Sequence, residues 1–391
     1  MSLDLDVLMA EASRRAGGLA DFGDPHFRPA AEALLKAMNE ESGLSNIGIE
    51  IWRERLTEML RNRLVMEDYY RRYPEIDQEE IGGPIVIVGL PRTGTTLLQR
   101  ILGCDRQFYP MLWWESRFPA PMPAVDGAGP DPRIALAQAE TKAMLEANPT
   151  LLSIHPLDAI APDEEGVLLE HSFQSFFDAY ADIPSYTAWM WNHDQTPAYE
   201  HLRRMLKFVQ WQKRRRGEAA GEWVLKTPHH LRQIAVLFKV FPGTRVIQTH
   251  RDPLQTIPSI ASFTANLWRI YMDDPDPKRA GRQWSDIWAR GIRDTMAFRD
   301  TQTPDRFFDV WFSDTLTRPL DVVRDIYRYL GVAFSEDIQD RLQMYLNANR
   351  REKRPLHEYN LEHYGLNEDR IERDFAAYRA RYIVSRPTEG D

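Results

Sequence analysis

Cysteine is almost missing from this 391-residue chain: Cys104 is the only one. A single thiol rules out an intramolecular disulfide and a cysteine zinc site, and leaves Cys104 as a small residue expected in the apolar interior. No histidine has a partner at a metal-ligand spacing, so no metal is expected. A run of eighteen apolar residues is also lacking, so no segment is expected to span a membrane. The acidic N-terminus, Met1 to Asp6, does not have the basic-then-apolar order of a signal peptide, and the expected location is cytoplasmic. Positive charge is in deficit as well, with 49 Lys and Arg against 58 Asp and Glu for a formal charge of −9. That balance argues against a general nucleic-acid or anionic-membrane binder, since both present broad basic surfaces. An anionic ligand would need a local basic pocket.

What is present is an ordinary globular composition, 43% hydrophobic and 27% charged, in a chain long enough to bury a large core. The stretch from Pro84 to Leu102 organises the rest. Ile85 to Val88 are four β-favouring apolar residues that read as a buried strand, and Gly89 ends it where backbone must approach something closely. Thr95 and Thr96 then supply hydroxyls at the start of a helix whose Leu97, Leu98, Ile101 and Leu102 recur at helical spacing. A strand, a loop bounded by Gly89 and Gly94 and a helix together aim backbone N–H groups at an anion. The spacing is that of the P-loop, except that Thr95 stands where the lysine belongs, which weakens an ATP-hydrolysing reading. Arg92, inside the loop, offers a planar charged fork for phosphate or sulfate.

Two further segments carry chemistry. Val246 to Pro253 brings Arg251 off the end of an expected strand, and Ser259 lies eight residues beyond it. An arginine and a serine so spaced can converge on one anion at the edge where open α/β sheets bind ligands. Alternatively, Arg251 pairs with Asp252 and Ser259 faces solvent. Trp223 to Leu231 ends a strand on Lys226, beside a turn set by Pro228, so its ammonium is expected at the same edge.

With these residues on the page, the chain resembles the sulfotransferases that use 3′-phosphoadenosine 5′-phosphosulfate (PAPS), in particular the bacterial and tyrosylprotein-modifying branch. The resemblance covers about residues 84–115, 223–263 and 306–331. It implies that Arg92, Thr93, Gly94, Thr95 and Thr96 cradle the 5′-phosphosulfate and that Arg251 and Ser259 hold the 3′-phosphate. Lys226 would then stabilise charge growing on the departing oxygen. The proton acceptor is left open. Glu115, twenty-one residues past Gly94 in a Trp-Trp-Glu run, is similar in position to the catalytic glutamate of the tyrosylprotein enzymes. Beside two tryptophans its pKa could rise towards that of a general base, or it could cap a helix or pair with Arg117. His155 is a second candidate, since cytosolic relatives use a histidine. Glu164, within Asp163 to Glu165, is a third, although these acids could equally open the next helix. His229 and His230 flank Lys226 and read as packed histidines. Arg354, in the basic run 350–354, occupies the place of the family's late nucleotide loop but departs from its pattern.

The implied fold is α/β: a P-loop-like three-layer arrangement with a central parallel sheet flanked by helices, plus an N-terminal helical extension. Residues 1–80 are expected to be that extension, carried by Leu5, Leu8 and Met9 and by an amphipathic run from Ile49 to Val65. Residues 81–391 are expected to form the α/β domain, with a helical insertion at about 133–216. Strands are expected at Trp223–Leu225, Arg245–Thr249 and Phe307–Phe312, and helices at Leu231–Phe241, Leu254–Trp268 and Pro319–Leu330. The basic run Lys213 to Arg216 reads as a solvated helix end that complements the dipole. The expected reaction moves a sulfuryl group from PAPS to a hydroxyl of a small, apolar or aromatic acceptor. A P-loop kinase and a catalytically silent nucleotide-binding module are the rivals.

Overall fold

A computed structural model describes residues 2–122, 129–147, 157–349 and 360–386. Helices α1 (Leu5–Arg15), α2 (Phe27–Glu40) and α3 (Asn46–Arg72) come first. Strand β1 (Ile85–Gly89), helix α4 (Thr95–Leu102), strand β2 (Phe108–Pro110) and helix α5 (Trp113–Arg117) follow. Helices α6 (Pro132–Ala147), α7 (Gly166–Glu170), α8 (Pro184–Asn192) and α9 (Thr196–Arg215) come next. After them run β3 (Glu222–Lys226), α10 (Ile234–Val240), β4 (Arg245–His250), α11 (Pro253–Tyr271) and α12 (Pro277–Arg299). The chain continues through β5 (Phe307–Trp311), α13 (Phe312–Thr317), α14 (Pro319–Leu330), α15 (Glu336–Ala348), α16 (Glu368–Asp374) and α17 (Ala376–Arg379).

These elements divide between two compact units. One comprises Met1–Ile81, Met111–Ala219 and Asn266–Pro275; the other comprises Gly82–Pro110, Ala220–Ala265 and Asp276–Asp391. The second unit holds a five-stranded, all-parallel sheet in the order β2-β3-β1-β4-β5. Every residue of β1 is buried, as a parallel strand covered on both faces requires. Ile85, Ile87, Val224 and Ile247 pack on one face against Leu98 of α4 and Ile326 of α14. Helices α10 and α12 cover the other. There Phe238 stacks on Phe307 with ring centroids 5.6 Å apart, and Thr295 Oγ1 donates to the Leu231 carbonyl at 2.9 Å. The result is an α/β fold of three layers.

The other unit is helical among its described residues, apart from an isolated bridge between Leu44 and Met272 and another between Leu112 and Pro162. Leu8, Leu34, Trp52, Leu56 and Phe177 build its main core. The helices expected over 1–80 share this unit with those between 133 and 216.

The expected strands appear as β1, β3, β4 and β5, and α14 stops at Gly331, whose φ of +68° suits glycine. Two local expectations change. Phe108 to Pro110 forms an edge strand, which sequence hides because three residues ending in proline show no alternation. The continuous helix expected over Leu231 to Phe241 is instead a single-turn helix, Pro228–Arg232, followed by α10, because Thr227 Oγ1 accepts from His229 N–H and starts the earlier turn. Cys104 is half-buried against the sheet core, and burial pushes its thiol pKa up. Among the described residues, no helix is long and apolar enough to cross a membrane, and no three His, Cys, Asp or Glu side chains cluster to hold a metal ion.

Candidate active site at the strand ends

Strand β1 ends on Gly89, where an added Cβ would sit 2.0 Å from Thr249 Oγ1 and 2.7 Å from Thr93 Oγ1. Only glycine lets β1, its loop and β4 approach so closely. Thr93, fully buried, donates from Oγ1 to the Leu90 carbonyl at 2.7 Å, and its Oγ1 lies 2.5 Å from that of Thr249. The loop therefore closes on itself. Arg92 and Gly94 both hold positive φ, 74° and 91°. Gly94 occupies the N-cap of α4 in the left-handed region, so the expected hydroxyl caps are replaced by a backbone turn. Helix α4 starts at Thr95, and the N–H groups of a first helical turn point along the axis away from the helix, towards whatever the loop encloses.

The sheet topology brings Arg251 and Lys226 to the same edge. Strand β1 leads to β2 on one side and β4 to β5 on the other, so the chain diverges between the adjacent strands β1 and β4. Ligands in open α/β sheets lie outside the carboxyl ends of strands at such a divergence. Arg251 follows β4 directly. Its Nη1 donates to the Arg92 carbonyl at 2.9 Å and its Nε to Gln255 Oε1 at 2.9 Å, in place of the Asp252 pairing considered from sequence. The guanidinium also lies over the Phe312 ring at 4.3 Å, and the same ring is 3.1 Å from where a Cβ of Gly94 would be. Phe312 thus braces both segments. Lys226 ends β3, which pairs with β1 so that Lys226 stands opposite Ile87, and its side chain is buried. Ser259 is buried in the second turn of α11.

Glu115 sits in the helical unit and is engaged. Its carboxylate takes Lys213 Nζ at 2.7 Å and a short contact from Arg216, and accepts the Leu112 N–H at 3.3 Å. Arg117, the partner considered from sequence, pairs with Glu140 instead. The basic run is correspondingly no simple solvated face. Lys213 is 0% exposed between Glu115 and Glu218, while Arg216 and Arg133 lie over Trp114 at 5.0 and 4.8 Å. Two cations and an aromatic face offset the cost of burying that carboxylate. Asp163 accepts the Glu164 N–H, and Glu165 caps α7, the opening of a helix that the alternative reading considered. His229 and His230 are buried, and burial holds the His229 pKa well below the ordinary imidazole value. His155 and Arg354 lie outside the described residues.

Sequence reasoning passed over the surroundings of His250. Its Nε2 lies 2.8 Å from Asp309 Oδ1, and Arg299 Nη2 reaches Asp309 Oδ2 at 2.7 Å. Against the opposing effect of burial, the His250 and Arg299 hydrogen bonds hold the Asp309 carboxyl below the usual carboxylate range. Burial holds the His250 imidazole below its usual value, with Asp309 acting the other way. The partner lies 59 residues from the histidine, so no local pattern announces it.

Comparison with known proteins follows the same geometry. A family model described as the sulfotransferase family matches residues 84–336. An omega-hydroxy-beta-dihydromenaquinone-9 sulfotransferase, found in Mycobacterium bovis and Mycobacterium tuberculosis, is 26% identical over 272 residues. That match covers 67% of this chain and spans 66% of the length of those relatives. Among solved structures, sulfotransferase STF1 from Mycobacterium tuberculosis superposes with a TM-score of 0.83 at 30% identity, covering 96% of this chain and 99% of that one. Sulfotransferase STF9 from Mycobacterium avium has the same fold, with a TM-score of 0.86 at 24% identity over 97% of both chains.

Proposed function

Because the chain belongs to the sulfotransferase family, we propose that it transfers a sulfuryl group from PAPS to a hydroxyl of a small, apolar acceptor. The observation that carries this reading is the hydrogen bond from Arg251 Nη1 to the Arg92 carbonyl, which joins the two segments expected to grip the nucleotide's two ends. In the reaction the acceptor oxygen bonds to sulfur while the bond from sulfur to the 5′-phosphate oxygen breaks. The acceptor's proton passes to a base, and adenosine 3′,5′-bisphosphate departs. The loop Arg92 to Thr96 fits the 5′ end, because Gly89 and Gly94 let the loop pack tightly on Thr249 and Phe312 and α4 presents its N-terminus. Arg251 and Ser259 serve the 3′-phosphate, and Lys226 the departing oxygen.

The ion pairs around Glu115 favour a positioning task for it. Its carboxylate is the nearer of the two acidic partners of the fully buried Lys213, Glu218 being the other. This reading therefore passes the proton to His155 or Glu164, and keeps Arg354 as a further nucleotide contact. The hydroxylated menaquinone in the name of the mycobacterial relatives supports an apolar acceptor, and the single cysteine is compatible with a cytoplasmic enzyme. Thr95 in the place of the P-loop lysine counts against a kinase.

The test is incubation with ³⁵S-labelled PAPS and a panel of apolar alcohols and phenols, with ATP and Mg²⁺ in parallel. Label is expected in an acceptor. Phosphate transfer from ATP, or nucleotide binding without turnover across the panel, would overturn the reading. In the active assay Lys226→Ala is expected to lower kcat by about 10²-fold or more with little change in nucleotide affinity. Arg251→Ala is expected to raise the KM for PAPS by about tenfold or more.

A further inference from the structure

We propose that the C-terminal segment 375–386 braces the nucleotide-binding turn His250–Asp252, with Tyr378 and Arg379 as its positioning residues. The inference rests on the reading of Arg251 as the grip on the 3′-phosphate.

The residues on either side of Arg251, His250 and Asp252, are both held by this one segment. Tyr378 Oη lies 3.1 Å from His250 Nδ1. Arg379 clamps Asp252 with two nitrogens, Nε at 3.0 Å from Oδ1 and Nη2 at 3.2 Å from Oδ2. Tyr382 stacks on the His250 imidazole, with centroids 4.2 Å apart and planes 14° from parallel. Its own carbonyl accepts from Trp311 Nε1 at 2.8 Å, which ties the segment to β5.

The hydrogen-bond directions follow from what each group can do. The Asp309 carboxylate, paired with Arg299, only accepts, so His250 Nε2 carries the hydrogen that faces it. The Nδ1 of the neutral ring is then an acceptor and takes the Tyr378 hydroxyl proton. A chain of hydrogen bonds therefore runs from Tyr378 through His250 to Asp309 and Arg299.

Two features mark this segment. Tyr378 and Tyr382 are buried, 2% and 5% exposed. Ala380–Val384 is also wound as a π-helix, a wider turn that recurs at functional sites. The brace leaves the Arg251 guanidinium on Phe312 and the Arg92 carbonyl, while the residues before and after it are fixed by Tyr378 and Arg379. A turn fixed before the ligand arrives loses less freedom on binding, so the benefit falls on nucleotide affinity at the 3′-phosphate.

The experiment uses the full chain carrying Tyr378→Phe or Arg379→Gln. Titration calorimetry gives the affinity for adenosine 3′,5′-bisphosphate and for adenosine 5′-phosphate, which lacks the 3′-phosphate, and steady-state kinetics give KM and kcat. Each variant is expected to weaken the bisphosphate by about three- to tenfold, to raise the KM for PAPS in parallel, and to leave kcat and adenosine 5′-phosphate binding unchanged. Equal weakening of both nucleotides, or an unaltered ratio of their affinities, would overturn the brace and leave a merely structural tail. Tyr378→Phe keeps the ring, and Arg379 stands at a rim with 18% of its side chain exposed, so failure of one variant to fold leaves the other to decide. Arg251→Ala is the control. If it abolishes the preference for the bisphosphate while both brace variants retain it, the brace alone fails. If it leaves the preference intact, the reading of Arg251 fails and takes the brace with it.

Discussion

Glu115 illustrates how one residue's neighbours decide its chemistry. A carboxylate beside two tryptophans suggests a desolvated base, but the cations that surround it arrive from about a hundred positions away, Lys213 and Arg216 at the end of α9. Breaking one side of a buried ion pair leaves the other charge unmet, whereas replacing both sides can be nearly neutral. Glu115→Gln is therefore expected to lower unfolding free energy by about 3 kcal/mol or more, and the double change Glu115→Gln with Lys213→Met by less than the sum of the single changes. Urea titration of the four proteins measures the coupling, and strict additivity would remove the pairing from the account. Gly89 is the opposite case. Its identity in a strand-to-loop turn is readable locally, and the contact that forbids a side chain, Thr249, lies on the neighbouring strand.

Among the elements, α14 follows its sequence most directly. Arg318 precedes Pro319 at the first helical position, the apolar residues Val322, Val323, Ile326 and Leu330 fall on one face, and Gly331 ends the helix in the left-handed region. That face lies on the sheet, and Ile326 is fully buried there. Ile326→Ala is expected to cost about 2–5 kcal/mol through lost burial and the cavity left behind. The midpoint of chemical unfolding checks it; a change within error would mean the helix face is not part of the core. Strand β2 and the single turn Pro228–Arg232 were not legible in the same way. Both are too short for a periodicity to develop, and both depend on partners elsewhere, β3 for the strand and α12 for the turn.

At the level of the whole molecule, charge and protonation set the terms. A chain of net charge −9 gathers Arg92, Lys226 and Arg251 at adjacent strand ends, a local concentration of positive charge in an acidic protein. The helical unit contains a second polar centre, where buried Arg63 bonds the His171 carbonyl at 2.9 Å and His201 Nε2 at 3.0 Å, and the His26 ring lies tilted against that of His201 at 5.6 Å. Burial, aided by Arg63, pulls the pKa of His26 down to about 4 and that of His201 well below the ordinary value; burial does the same to His171, down to about 3. The folded protein thus keeps these rings neutral where the unfolded chain binds protons. Their contribution is present above the unfolded value of about 6.5 and is lost as pH falls from there towards 4. Stability measured by urea unfolding is expected to drop between pH 7 and pH 5, with His26→Gln removing about 1–2 kcal/mol of that drop. An unchanged pH dependence in the variant would mean that His26 titrates alike in both states. The sequence by itself determined the strand-loop-helix from Ile85 to Leu102, the parallel α/β class and the positions of Lys226 and Arg251 at strand ends, because periodicity and turn chemistry are local properties. Only the tertiary structure decided that Glu115 is ion-paired with Lys213 and Arg216, that Arg251 rests on Arg92 and Phe312, and that the turn carrying it is held from residues 378 and 379. Each of those depends on groups distant in the chain and adjacent in space, a relation that folding creates and local order does not encode.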